Sequence, residues 1–105
     1  MSAPDIEQRI ETTLARLAAR VEALGRDELE VESVPGRLDL EFEDGTRLIL
    51  SRQSATGQIW LAEPQGGWHF DERDGRWICD KRGVELVAEL ERLLGRQLGE
   101  PVSLS

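Results

Sequence analysis

Apolar residues recur at steps of four, four, three, four and three through Ile6, Ile10, Leu14, Leu17, Val21 and Leu24. That spacing lines one face of an α-helix and predicts an amphipathic helix over residues 5–25. Ser2 is the expected N-cap, with Asp5 three residues on in a near capping-box pattern, and Pro4 suits a first turn. Gly25 is the expected stop, since glycine takes the left-handed conformation that follows many helix ends. The polar face carries Glu7, Glu11, Arg20 and Glu22.

The period then changes from near four to two. Leu29 and Val31 alternate with Glu30 and Glu32, and Pro35-Gly36 reads as a turn. Leu38, Leu40 and Phe42 alternate with Asp39, Glu41 and Glu43, the clearest strand in the chain. Asp44-Gly45 is a two-residue hairpin signal, and Thr46 to Arg52 returns as a third strand. Residues 53–57 form a polar loop. Gln58 to Ala62 is a fourth strand, turned by Pro64-Gln65-Gly66-Gly67. Trp68 to Glu72 and Arg76 to Cys79 make a last hairpin around Asp74-Gly75. Helical spacing resumes over residues 84–94 with Leu86, Leu90, Leu93 and Leu94 on one side. Gly95 is the expected end, and the tail lies on the surface or seals the gap between helices.

The order helix, about six strands, helix gives an α+β fold. The expected architecture is a two-layer α/β sandwich, with both helices on one face of an antiparallel sheet. The other face is open to water, which antiparallel sheets tolerate. The 105 residues fit one domain, 1–105, with no repeats or linkers.

Charge sharpens this picture. Residues 1–44 hold 12 acidic and 5 basic residues; residues 45–105 hold 9 and 8. Nucleic-acid phosphates and anionic membranes would be repelled by the first half, so cations and basic protein surfaces are the natural partners. By composition alone such acidity reads as a solvated surface. Glu22, Asp27, Glu28, Glu30 and Glu32 could nevertheless form one continuous ridge of hard oxygen donors, which favour hard cations. With no histidine, thiolate or cage among them, any site there would be exposed, hydrated and weak.

No apolar run approaches the roughly 20 residues of a membrane helix. The first residues lack a signal-peptide pattern and Cys79 is the single cysteine, so a reducing, cytoplasmic setting is expected. Ile59 and Leu61 fit the core, and the pleat therefore sends Trp60 outward beside Gln58 and Ala62. An outward tryptophan is a favoured interface anchor. Trp68 and Trp77 belong to the core or its rim. A nucleophilic Cys79–His69 pair would lack an orienting third group, and Cys79 reads as a small strand residue. Phosphate loops, zinc-protease and nucleophile-elbow motifs are absent from the sequence, so no enzyme and no organic cofactor are expected.

Four stretches carry a resemblance. They are Glu43 to Gln53, Gln58-Ile59-Trp60-Leu61-Ala62, Gly66-Gly67-Trp68-His69-Phe70-Asp71 and Trp77-Ile78-Cys79-Asp80. Together they resemble bacterial frataxin, the CyaY family, most specifically at Gln58 to Ala62. The resemblance implies an iron-binding accessory protein of iron–sulfur cluster assembly. Its acidic ridge would bind Fe2+ and Fe3+ weakly, and its sheet face would dock on the cysteine desulfurase and the scaffold protein. Carried onto this chain, the ridge is Glu22, Glu28, Glu30 and Glu32, with Asp27 beside them and Glu7 and Glu11 further up the helix. Trp60, with Gln58, takes the partner-binding place. A monomer is expected, with oligomerisation on iron left open. The alternatives are an iron chaperone or store and, ranked last, a ferroxidase. One departure stands out: the family often has paired acids in mid-helix, where this chain reads Arg16-Leu17-Ala18-Ala19-Arg20. Fewer or weaker iron sites are expected as a result.

Overall fold

In a computed structural model, residues 5–104 are described, and they run α1 (Ile6–Glu22), β1 (Leu29–Val34), β2 (Arg37–Phe42), β3 (Arg47–Gln53), β4 (Gln58–Glu63), β5 (Gly66–Arg73), β6 (Arg76–Cys79) and α2 (Leu86–Leu98). The six strands form one antiparallel sheet in chain order, β1-β2-β3-β4-β5-β6. Both helices cover the same face. The expected two-layer sandwich is therefore present.

Alternation decides which face each residue joins. Leu38, Leu40, Leu48, Leu50, Ile59, Leu61, Phe70, Trp77 and Cys79 point under the helices and are buried. They meet Ile10, Leu14, Leu17 and Val21 of α1 and Leu86, Leu90, Leu93 and Leu94 of α2 in one core. The Asp74-Gly75 turn has both residues at positive φ, 53° and 82°, as a tight hairpin that matches strand twist requires.

Element ends are where the structure departs from the pattern. Asp5 caps α1, its carboxylate accepting from the Gln8 amide at 2.9 Å, and the first helical residue is Ile6. The expected cap Ser2 and first-turn Pro4 lie outside the described residues. The helix ends at Glu22, and Gly25 takes its left-handed conformation, φ 65°, further along the connection. The Asp44-Gly45 signal sits in a longer connection between Phe42 and Arg47, with the Asp44 carboxylate accepting from the Thr46 amide at 2.9 Å. Gly66 and Gly67 belong to β5, leaving Pro64-Gln65 as the turn.

Gly95 departs furthest from the expected pattern. It lies inside α2, which continues to Leu98 and ends on Gly99 at φ 74°. Gly95 is small because the chain folds back over it: a Cβ there would stand 3.1 Å from the Glu100 carbonyl oxygen. That return brings the tail between the helices. Leu104 is only 2% exposed and joins the core. Its carbonyl accepts from Arg20 at 2.9 Å and its amide donates to Glu91 at 2.8 Å. Of the two expected courses, the tail takes the sealing one. Leu104→Ala is expected to lower unfolding free energy by about 2–5 kcal/mol in urea titration. An effect below about 0.5 kcal/mol would mean the tail is dispensable to the core.

Among the described residues three carboxylates, Asp39, Glu63 and Glu89, are buried. Asp39 points to the open face as expected, yet is only 7% exposed. Arg37 grips it at 2.7 and 2.9 Å and Arg47 at 2.9 Å. The Arg37 bond, reinforced by both charges, holds its pKa below the ordinary aspartate value against the effect of burial. Glu89 in α2, 3% exposed, is gripped by Arg92 and Arg82, and the Arg92 bond likewise lowers its pKa. Arg82 in turn lies over the Trp68 ring at 3.9 Å, and Trp68 donates to Glu63 at 2.7 Å. Trp68 thus sits at the rim and Trp77 in the core, its indole N–H donating to Thr13.

Candidate functional site

β1 is an edge strand, and the expected acidic ridge wraps around it in two parts. On the helix side, Glu22 and Asp27 line a shallow groove of about 310 Å³ with Val21, Arg26, Leu29 and Val31. On the open-face side, the pleat puts Glu30 and Glu32 opposite to Leu29 and Val31. All four of these carboxylates are exposed.

The other three expected ridge residues are placed differently. Glu28 is held by Arg26 at 3.0 and 3.2 Å, and Arg26 also reaches Glu100 at 2.8 Å. The bond from Arg26 holds the Glu28 pKa below the ordinary carboxylate value. Glu11 accepts from Arg52 at 2.5 Å and from the Gly36 amide at 3.0 Å, tying α1 to the β1–β2 turn and to β3. Its oxygens already serve the fold. Glu7 lies in the first turn of α1, roughly 22 Å along the helix from Glu22 at 1.5 Å per residue, too far to share an ion with it.

The register adds a carboxylate that the pattern did not single out. The two-residue Pro35-Gly36 turn pairs Val34 with Arg37, and hence Glu30 with Glu41 and Glu32 with Asp39. Asp39 is neutralised by its arginines, and Glu41 faces Arg47 across β2–β3. Glu30 and Glu41 are like charges directly opposed, an arrangement that costs stability and that Arg47 offsets only from the far side of Glu41. Turn length fixes that register, so Glu41 was recoverable from Pro35-Gly36. Among the described residues, no three His, Cys, Asp or Glu side chains are gathered closely enough to cage a metal ion. The donor set suits a hydrated hard cation held by carboxylates and water.

The second part of the site is the open sheet face. Trp60 stands there, half-buried, between Ser51 and His69 in register. Its ring stacks on His69 with centroids 4.2 Å apart and planes 11° from parallel. Its indole N–H donates to Gln58 at 2.9 Å. Gln58 in turn donates to Asp71 at 3.0 Å, and His69 Nδ1 lies 3.9 Å from Asp80. The two expected partner residues are therefore fixed in one polar-aromatic cluster with His69, Asp71 and Asp80. Hairpin parity around Asp74-Gly75 already places 69 and 71 on one face, the signal that sequence reading left unused. The Cys79–His69 pair does not form: Cys79 is buried on the helix side opposite Phe70, while His69 is on the open face.

A six-stranded meander backed on one side by its first and last helices, with an acidic edge strand and an aromatic cluster on the bare side, defines a frataxin-like α/β sandwich. A family model described as a frataxin-like domain matches residues 1–100. The chain belongs to the frataxin family. It is 35% identical over 102 residues to the iron-sulfur cluster assembly protein CyaY of Vibrio cholerae serotype O1, covering 97% of each. Frataxin from Psychromonas ingrahamii superposes with a TM-score of 0.88 at 30% identity, over 95% of this chain and 94% of that one. A trimeric frataxin from the yeast Saccharomyces cerevisiae, complexed with ferrous iron, gives 0.79 at 25% identity, over 95% and 91%. No helix among the described residues is long and apolar enough to cross a membrane.

Proposed function

We propose that this chain, acting as one domain in the cytoplasm, is an iron-binding accessory and regulatory protein of iron–sulfur cluster assembly rather than an enzyme. It binds Fe2+ and Fe3+ weakly on its acidic edge and docks on the cysteine desulfurase and scaffold. The observation that carries this reading is the rim of four exposed carboxylates, Glu22, Asp27, Glu30 and Glu32, on the edge strand and the helix end beside it. Such a rim is complementary to a basic protein surface, and complementary charge speeds and orients docking. Glu41 opposite Glu30 extends the donor set, whereas Glu11 and Glu28 are already engaged by Arg52 and Arg26. The name of the Vibrio cholerae relative and the ferrous complex of the yeast protein support the assignment. Trp60, with Gln58, supplies the apolar anchor of the docking face.

The test is cluster assembly in vitro with desulfurase and scaffold, followed with and without this protein and with and without added iron. A saturable, iron-dependent change in initial rate is expected. A rate that does not respond to the protein at any iron level would overturn the proposal. Anaerobic calorimetry with Fe2+ accompanies it: weak saturable heat fits the exposed carboxylates, and heat no different from buffer would remove the iron half of the reading.

A further inference from the structure

Helix α1 is polarised across its width. The buried stripe Ile10, Leu14, Leu17 and Val21 has the acids Glu7, Glu11 and Glu22 on one flank. The other flank carries Arg9, Thr13, Arg16 and Arg20, at steps of four, three and four. The arginine flank faces a groove of about 320 Å³ between α1 and the β5–β6 hairpin. A smaller depression of about 90 Å³ continues it toward the start of α2. Arg16 lines both. Four arginines, Arg9, Arg16, Arg20 and Arg76, border the two compartments against two carboxylates, Glu72 and Glu85.

Pairing makes the concentration informative. Seven arginines, Arg9, Arg26, Arg37, Arg47, Arg52, Arg82 and Arg92, form ion pairs with carboxylates, and the Arg9 pair is with Glu72 of the groove itself. Arg20 gives one N–H to the Leu104 carbonyl and retains its charge. Arg16 has no hydrogen bond or ion pair to another described residue, although the chain has 21 acidic residues to offer it. The acidic flank lies across the body of the helix, about 10 Å away, so at physiological salt its field is attenuated by roughly one Debye length.

We propose that this groove binds small polyanions, bearing phosphate or several carboxylates, with Arg16 as the principal ligand-holding group and Arg20 beside it. Guanidinium is the side chain suited to such groups, because its planar fork donates two parallel bonds to one anion. The volume fits a small molecule rather than a folded surface. The Arg16-Leu17-Ala18-Ala19-Arg20 stretch is then a second binding feature as well as an interruption of the acidic one. Nothing in this inference requires iron or the assembly partners.

The test is 15N NMR of the full chain, titrated separately with pyrophosphate and with citrate, against sodium chloride at matched ionic strength. Saturable shifts are expected at the Thr12, Thr13, Arg16 and Gly75 amides. The tighter of the two ligands identifies phosphate or carboxylate as the preferred chemistry. Arg16→Gln should weaken binding about tenfold, the worth of one charge-assisted contact. Arg96→Gln, on an exposed arginine of α2, should leave it unchanged. Shifts that track the chloride control would overturn the proposal, as would an absence of saturation by concentrations on the order of 10 mM. Arg16→Gln binding like the parent chain would also overturn it. Concentration-dependent shifts at the same amides without ligand would overturn it in favour of carboxylates from a second copy.

Discussion

Phe70→Ala is expected to remove about 3–5 kcal/mol of unfolding free energy, the range for truncating a fully buried phenylalanine. Phe70 is 0% exposed, in the middle of β5, with Ile59 of β4 and Cys79 of β6 as its register partners on the helix-covered face. Neither neighbour's backbone can close the space, because Ile59 is paired in the β4–β5 ladder and the Cys79 amide donates to the Val84 carbonyl at 2.8 Å. The cavity therefore persists, and lost contacts add to the lost transfer free energy. A domain of this size has about 5–15 kcal/mol in total, so the variant would melt lower by on the order of 15–30 °C. Urea unfolding should show a lower midpoint with an unchanged slope. A loss below about 1 kcal/mol would mean that the core is centred elsewhere.

The second large effect concerns docking rather than folding. Replacing Glu22, Asp27, Glu30 and Glu32 together by glutamine is expected to weaken binding to the desulfurase by on the order of tenfold to a hundredfold at low salt. It should also flatten the salt dependence, since screening acts on the charges that were removed. Surface plasmon resonance at two ionic strengths measures both. The fold supplies its own control. Each of the four side chains is exposed and none forms an ion pair with another described residue, so little structure depends on them. Neutralising Glu30 also relieves its opposition to Glu41, so the melting temperature should hold or rise. Unaltered affinity with unaltered melting would show that the edge is a solvated surface and nothing more.

Much of this was legible in the order of residues, and the rest was hidden for identifiable reasons. The strands were readable because one face is buried and the other wet, so Leu38, Leu40 and Phe42 had to alternate with polar neighbours. Trp60 followed from the same parity. Gly95 misled because its role is steric: the return of Glu100 over α2 is a tertiary contact that no local pattern encodes. Asp39 and Glu89 look like surface acids locally, and only the arrangement of Arg37, Arg47, Arg82 and Arg92 explains their burial. Glu22, Asp27, Glu30 and Glu32 lie around the β1 edge, but no local pattern shows that Arg52 and Arg26 engage Glu11 and Glu28. Arg16 reads locally only as an interruption, because the hairpin wall that turns its flank into a groove lies some 60 residues away in the chain.

The clasp on Leu104 bears on how the molecule is assembled in time. Every hydrogen-bonded strand pair joins chain neighbours, so the sheet can zip in the order it is synthesised, with short loops to close. The helical layer has no such freedom. Arg20, in α1, meets Leu104 across a separation of 84 positions. Its seal is a long-range contact whose loop closure comes at a higher entropic cost than the hairpins, and until it forms the flank of α1 beside the tail stays open to water.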